Sequence, residues 1–193
     1  MSNETSISKW LDFYRPFFAD EPTLAAFVDS CAAQSGATRA AKIIMHQVRR
    51  LVVLADEMQG LRSRRDSLSV FWYMVCAEAV SKLQAEFEAE ARSHEHALRF
   101  FTDFSSAADK QRMTGGFRHP DNLLPMTLSQ VVDTLYAVRC SVAHEGNYWE
   151  FTMAEGLDMI NMAQPAIVSM TLGELRDIVV RTGIVAARSR LSH

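Results

Sequence analysis

The stretch from Asp66 to about Ala91 constrains the fold more than any other part of the chain. Asp66 or Ser67 can cap a helix there, and its first half, FWYMVCAEAV from Phe71 to Val80, is apolar nearly all round. A helix at a surface keeps a polar stripe toward water, so one that is apolar on every side has to be enclosed by other elements. Its longest unbroken apolar run, Phe71 to Ala77, is far too short to cross a bilayer. The segment therefore reads as the central helix of a bundle, in a protein with no membrane partner.

The remaining segments supply helices to surround it. Thr38 to Met58 places Ile44, Val48, Leu51, Val52 and Ala55 at three- and four-residue steps, an amphipathic helix that Gly60 should end. Upstream, the aromatic opening WLDFYRPFF, broken by Pro16, reads as core or dimer contact. Asp20 and Pro22 offer a cap and a first-turn proline for a helix to about Gln34. Ser93 can cap a helix in which Leu98, Phe101, Phe104 and Ala108 form one stripe through Lys110. Gln111 to Met126, with two glycines and two prolines, reads as a long irregular connector.

Thr127 or Ser129 then starts a helix with Leu128, Val131, Val132, Leu135, Val138 and Val142 on its apolar face, and Gly146 is its natural stop. Trp149, Phe151 and Met153 alternate with polar residues, Ala154 to Gly156 can turn, and Leu157 to Met162 can return, which makes a small β-hairpin. Ala166 to Met170 is a further short strand, and Thr171 with Glu174 forms a capping box for a last helix to about Arg188. The expectation is a mainly α fold, a bundle of about five to six helices with a small β-hairpin near the C-terminus, as one domain over residues 1–193.

Charge narrows the function classes. The net charge is −3, which argues against an indiscriminate grip on nucleic acid, since that affinity comes from cations neutralising phosphates. Sixteen arginines stand against four lysines, a bias toward the side chain that makes forked contacts with phosphate or carboxylate. They gather at Arg49 and Arg50, at Arg62, Arg64 and Arg65, at Arg112 and Arg118, and toward the tail. Cys31, Cys76 and Cys140 lack paired spacing and read as reduced core residues, and the polar start MSNETSISK lacks a signal-peptide pattern, so a cytoplasmic location is expected. His94, Glu95 and His96 do not suggest a metal site, because side chains two apart on a helix point about 200° from one another.

Chemistry concentrates in LYAVRCSVAHEGNYW, Leu135 to Trp149. On an α-helix Arg139 falls within the apolar stripe, whereas His144 lies roughly 140° further round and about 7.5 Å along the axis. A guanidinium on an apolar face costs several kcal/mol to desolvate unless it is paired or faces a wet cleft. Arg139 therefore wants a carboxylate, a phosphate or a second subunit. Glu78, inside the apolar half of the central helix, is open to pairing with Arg139, to pairing elsewhere, or to plain exposure. His144, at the helix end, suits an acid or base that titrates near neutral pH.

Arginine followed after four intervening residues by histidine, in a helix ending His144-Glu145-Gly146, resembles the motif of the HEPN superfamily (higher eukaryotes and prokaryotes nucleotide-binding domains). That resemblance implies a helical bundle, usually dimeric. It also implies a metal-independent endoribonuclease, in a toxin–antitoxin or antiphage defence setting, with RNA as substrate and an antitoxin or defence protein as a further partner. Arg139 and His144 would be the catalytic residues, with no cofactor. Glu78, Ser141, Glu145, Tyr148 and Arg118 would support them or contact RNA. The expected dimer pairs the helix Thr127 to Glu145 of two copies, so that the arginine of one approaches the histidine of the other. The alternative is a non-catalytic HEPN-like module that binds a nucleotide or a protein, which Cys140 directly after Arg139 and the acidic net charge favour.

Overall fold

Each of the surrounding apolar stripes is used on α4, Asp66–Gln84, which packs against α3 (Ala40–Leu61), α5 (Ser93–Phe104), α7 (Leu128–Cys140) and α8 (Leu172–Ser189). Neighbours on so many sides explain why Val70, Met74, Cys76, Ala77 and Val80 are all fully buried on one helix. The computed structural model describes residues 3–36, 39–61, 65–84, 93–145, 152–153 and 165–191. Within them lie also α1 (Asn3–Tyr14), a 3₁₀ turn (Arg15–Phe17), α2 (Glu21–Ala33) and α6 (Ala107–Gly116). Two short strands, β1 (Phe117–Arg118) and β2 (Ile167–Val168), pair antiparallel. The protein is mainly helical, and no helix among the described residues is long and apolar enough to cross a membrane.

The buried side chains form one cluster that runs through the helices. Fully burying a Val, Leu, Ile, Met or Phe side chain contributes about 1.5–3 kcal/mol, so this cluster is the main source of stability. Tyr14 lies inside it with its hydroxyl donating to the Met45 carbonyl at 2.7 Å, and burial pushes its phenol well up. Cys31 and Cys76 are buried free thiols, each pushed up to about 12 by burial. At the crossing of α8 with α3, a Cβ on Gly183 would come within 2.6 Å of a Val48 methyl, so only glycine permits that approach.

Local capping follows the sequence. The Asp20 carboxylate accepts from the Thr23 amide at 2.7 Å, and the pairs Thr127–Gln130 and Thr171–Glu174 both form capping boxes. Several boundaries differ from expectation. Helix α3 runs through Gly60 to Leu61, since a single glycine weakens a helix without ending it. The expected single helix into Lys110 is broken at Ser105 and Ser106, where the Ser106 hydroxyl accepts from the Asp109 amide and starts α6.

That restart also makes the expected long connector shorter and more ordered. Helix α6 carries the chain to Gly116, where a Cβ would sit 2.9 Å from the Met170 Cβ, and β1 follows directly. The strand expected within Ala166 to Met170 exists as β2, and it pairs with β1, some fifty residues upstream. The predicted hairpin over Trp149 to Met162 lies outside the described residues except for residues 152 and 153. Met153 is buried, and its amide donates to the Asp66 carboxylate at 2.6 Å. The helix extension from 85 to Ala91 and the basic residues 62–64 also lie outside the described residues.

Candidate functional site

Thr127 and Gln130 fix the start of α7, and its buried side Val131, Leu135 and Val138 seats it on the bundle. These apolar residues are covered within the protomer, so they are not a stripe waiting for a second copy. Asp133, Tyr136 and Arg139 follow in steps of three, from the outer face of α7 at Asp133 round to the edge of the apolar stripe at Arg139.

Arg139 reaches across to α4. Its Nε lies 3.0 Å from Glu78 Oε1, and its Nη2 donates to Glu78 Oε2 at 3.4 Å. The closer approach is an ion-pair contact out of line for a hydrogen bond, so Nε and Oε1 attract without completing one. The side chains are only 19% and 7% exposed, so each charge depends on the other. Of the three fates open to Glu78, pairing with Arg139 is the one realised. Nη1 of Arg139 makes no hydrogen bond among the described residues.

Around this pair lies a shell that the motif did not announce. The Arg139 guanidinium stands 5.4 Å from the centre of the Tyr136 ring, and that ring meets His94 edge-on at 5.1 Å. His94 Nε2 lies 2.5 Å from Asp133 Oδ1, which orients the imidazole from α5 onto α7. Burial, then the Glu78 carboxylate, push the Tyr136 phenol up against the opposing pull of Arg139 and of a Ser93 hydrogen bond. The step of three from Asp133 to Tyr136 to Arg139 was visible in the sequence, whereas the arrival of His94 depends on how α5 packs.

His96, two residues on, is turned away into the core, where its Nδ1 meets the Ser81 hydroxyl at 3.2 Å. The two histidines thus serve different partners, as their helical offset requires. Among the described residues no three metal-ligating side chains converge.

Immediately after Arg139 and Cys140 the helix loosens into a π turn, Ser141–Glu145, which packs against α4. The Ser141 amide is shared between the Ala137 and Val138 carbonyls at the junction. A π turn closes i to i+5 and so rotates less per residue than an α-helix. The offset between Arg139 and His144 is therefore smaller than the 140° or so that a regular α-helix would give. His144 is exposed, Ser141 is partly exposed, and Cys140 is half-buried.

The other expected site residues divide. Arg118 is exposed on β1 and donates to the Leu123 carbonyl at 2.9 Å, away from the Arg139 pair in sequence and committed to its own loop. Arg112, grouped with it in the sequence, is forked onto Glu174 at 2.8 and 2.7 Å. Tyr148 and the Glu145 side chain lie outside what the structure describes. A cleft of about 250 Å³ borders the Glu78 side of the pair, lined by Glu78, Val75, Ala79 and Lys82 of α4 and by Gln47 of α3, and neither Arg139 nor His144 lines it. No protein-family model, no curated protein and no solved structure matches the chain.

Proposed function

We propose that this protein cleaves RNA without a metal, in the manner of the HEPN nucleases its motif resembles. The observation that carries this reading is an exposed histidine on a π turn directly following an arginine whose guanidinium is gripped along one edge by Glu78. π turns are frequent at functional sites, since they displace a side chain from the regular helical face. In the reaction, the 2′-oxygen attacks the adjacent phosphorus while the bond to the 5′-oxygen breaks. His144 takes the 2′-hydroxyl proton, and a second acid returns one to the leaving oxygen. Arg139 faces the charge that builds on the phosphorane, with Nη1 as its uncommitted edge. A two-fold dimer would supply the second acid as His144 of the other copy.

His144 permits a clean test because an exposed side chain contributes little to stability. Purified protein should cut an end-labelled RNA in excess EDTA and leave 2′,3′-cyclic phosphate ends. His144→Ala should lower the rate at least about a hundredfold, the usual contribution of a positioned acid or base. Chelator-sensitive cutting that magnesium restores, or full activity in His144→Ala, would dispose of the reading.

The second reading is a non-catalytic HEPN-like module that binds a nucleotide or protein. It is favoured by the depth of the Glu78–Arg139 pair, since a pair so enclosed can clamp α4 to α7 with no substrate involved. An RNA that binds at the site but is never cut would select this second reading.

A further inference from the structure

Arg39, just before α3, and Lys42, His46, Arg49 and Arg50 on one face of α3 form a run of cations with no carboxylate partner among the described residues. At about 100° per residue these five positions fall within roughly 100° of one another, and from Arg39 to Arg50 they span about 16 Å. The Arg39 and Arg49 side chains make no hydrogen bond or ion pair among the described residues. Lys42 donates only to the Ala32 carbonyl at 2.9 Å, and Arg50 only to the neutral Gln47 amide at 2.8 Å. Elsewhere Arg15, Arg112, Arg139, Arg176 and Arg181 each hold a carboxylate. In a chain of net charge −3, such a stripe is a local reversal of sign.

Open clefts flank both ends of the stripe. One of about 330 Å³ is bordered by Arg39, Lys42 and His46 over an apolar floor that includes Ile7 and Trp10. The other, about 420 Å³, has Arg49 and Arg50 on one side and the partly exposed Trp72 of α4 on the other, and Glu57 ends the cationic run there. Gln47, which accepts from Arg50, also lines the cleft beside Glu78. The stripe thus reaches, through one side chain, the cleft that Glu78 lines.

We propose that this stripe is a track for single-stranded RNA, with Arg39, Lys42, Arg49 and Arg50 on successive phosphates and Trp72 stacked on a base. The proposal rests on the RNA reading of the Arg139–His144 site and names where its substrate is held. Polyanion affinity comes from cations that can give up small counterions to phosphates, and only cations without internal carboxylates are free to do so. An aromatic beside such a groove adds sequence-tolerant stacking. A double helix is a poorer fit, because one straight stripe with a single flanking indole can follow one backbone and reach an unpaired base.

The test uses the full chain carrying His144→Ala, so that binding is read without cutting, and fluorescein-labelled dodecauridylate followed by anisotropy across a salt series. Each phosphate neutralised on a single strand adds about −0.7 to the slope of log affinity against log salt, so four contacts give about −3. Arg39→Gln with Arg49→Gln should bring the slope to about −1.4 and weaken binding at least about tenfold at 100 mM salt. Dodecauridylate should shift the Trp72 indole proton resonance in the chain with Trp72 intact, and Trp72→Leu should weaken binding about tenfold, the scale of one stacked base.

An unchanged slope in the doubly substituted chain, an unmoved Trp72 resonance, or tighter binding to phosphatidylglycerol vesicles than to the oligonucleotide would overturn the track. Stripe-dependent binding by a protein that cuts no RNA keeps the track and removes the cleavage reading. Cutting whose KM is unmoved by Arg39→Gln with Arg49→Gln keeps cleavage and removes the track.

Discussion

Helices α3 and α8 lie against each other and both carry several cations, yet they use them in opposite ways. On α8, Arg176 forks onto Asp56 of α3 at 2.9–3.0 Å, Arg181 onto Asp109 of α6 at 2.6 Å, and Arg188 lies over the rings of Phe18 and Phe27. Each joins α8 to a different part of the molecule. On α3 the side turned to α8 spends its carboxylate, Asp56, in this way, while the Arg39 to Arg50 face finds none among the described residues. Paired arginines therefore mark places where two elements must keep register, and unpaired ones mark charge that the protomer does not need for folding. Arg139 belongs with the first group by its geometry and with the second by Nη1, which has no partner among the described residues.

The largest effect expected from this division is at Arg139. Removing it strands the Glu78 carboxylate, only 7% exposed, in the wall of the bundle. Breaking one side of a buried pair costs about 3–5 kcal/mol. Arg139→Ala should thus lose about 3 kcal/mol, equivalent to a fall of about 6–12 °C in Tm for a chain of this size, measured by thermal unfolding. Arg139→Ala together with Glu78→Gln should recover part of that loss. A Tm within 2 °C of the parent in the single variant would place Arg139 with the spare cations instead.

A smaller effect is expected where the pairs are wetter. The Arg176 and Asp56 side chains are 27% and 38% exposed, so solvent screens their attraction, although the forked geometry retains more than a point contact would. Arg176→Ala should cost about 1 kcal/mol, and a double-mutant cycle with Asp56→Ala should give a coupling of the same sign and no larger. A coupling near zero would mean that α8 is held by apolar packing alone and that its arginines are as dispensable as those of α3.

Much of this division was legible in the sequence, and the exceptions have physical reasons. The burial of α4 followed from its all-round apolar composition, and the caps at Asp20, Thr127 and Thr171 followed from side-chain-to-backbone spacings that are local. Glu78 and Arg139 were both visible as charges in apolar surroundings, but 61 residues separate them, and choosing between partners needed the packing of α7 on α4. The break at Ser106 carried its own capping signal before Asp109. It was hidden because Phe104 and Ala108 keep the four-residue apolar step across it. The π turn after Cys140 had no local signature, since one residue more per turn is decided by what the turn packs against. The α3 stripe was present in its spacing, yet whether each cation had a carboxylate could only be seen once the other helices were in place.

The smallest effect on stability, and the sharpest test of the comparison, is expected on α3 itself. Like charges three and four positions apart on a helix repel by a few tenths of a kcal/mol per pair, and Arg49 and Arg50 stand at those distances from His46. Replacing both by Gln should therefore leave stability within about 0.5 kcal/mol of the parent, on the favourable side if anything. His46 gives an independent readout. Its pKa is lowered, first by partial desolvation and then by Arg50 and Arg49. A lowered histidine pKa means that the folded state resists the proton more than the unfolded chain does, so the associated penalty is absent well above the ordinary value of 6.5 and grows as pH falls below it. Removing the two arginines should move the His46 titration, followed through its ring protons by NMR, back toward 6.5, and the desolvation share should remain. An unmoved titration would show that carboxylates or counterions already neutralise this face in solution, and the contrast between α3 and α8 would then disappear.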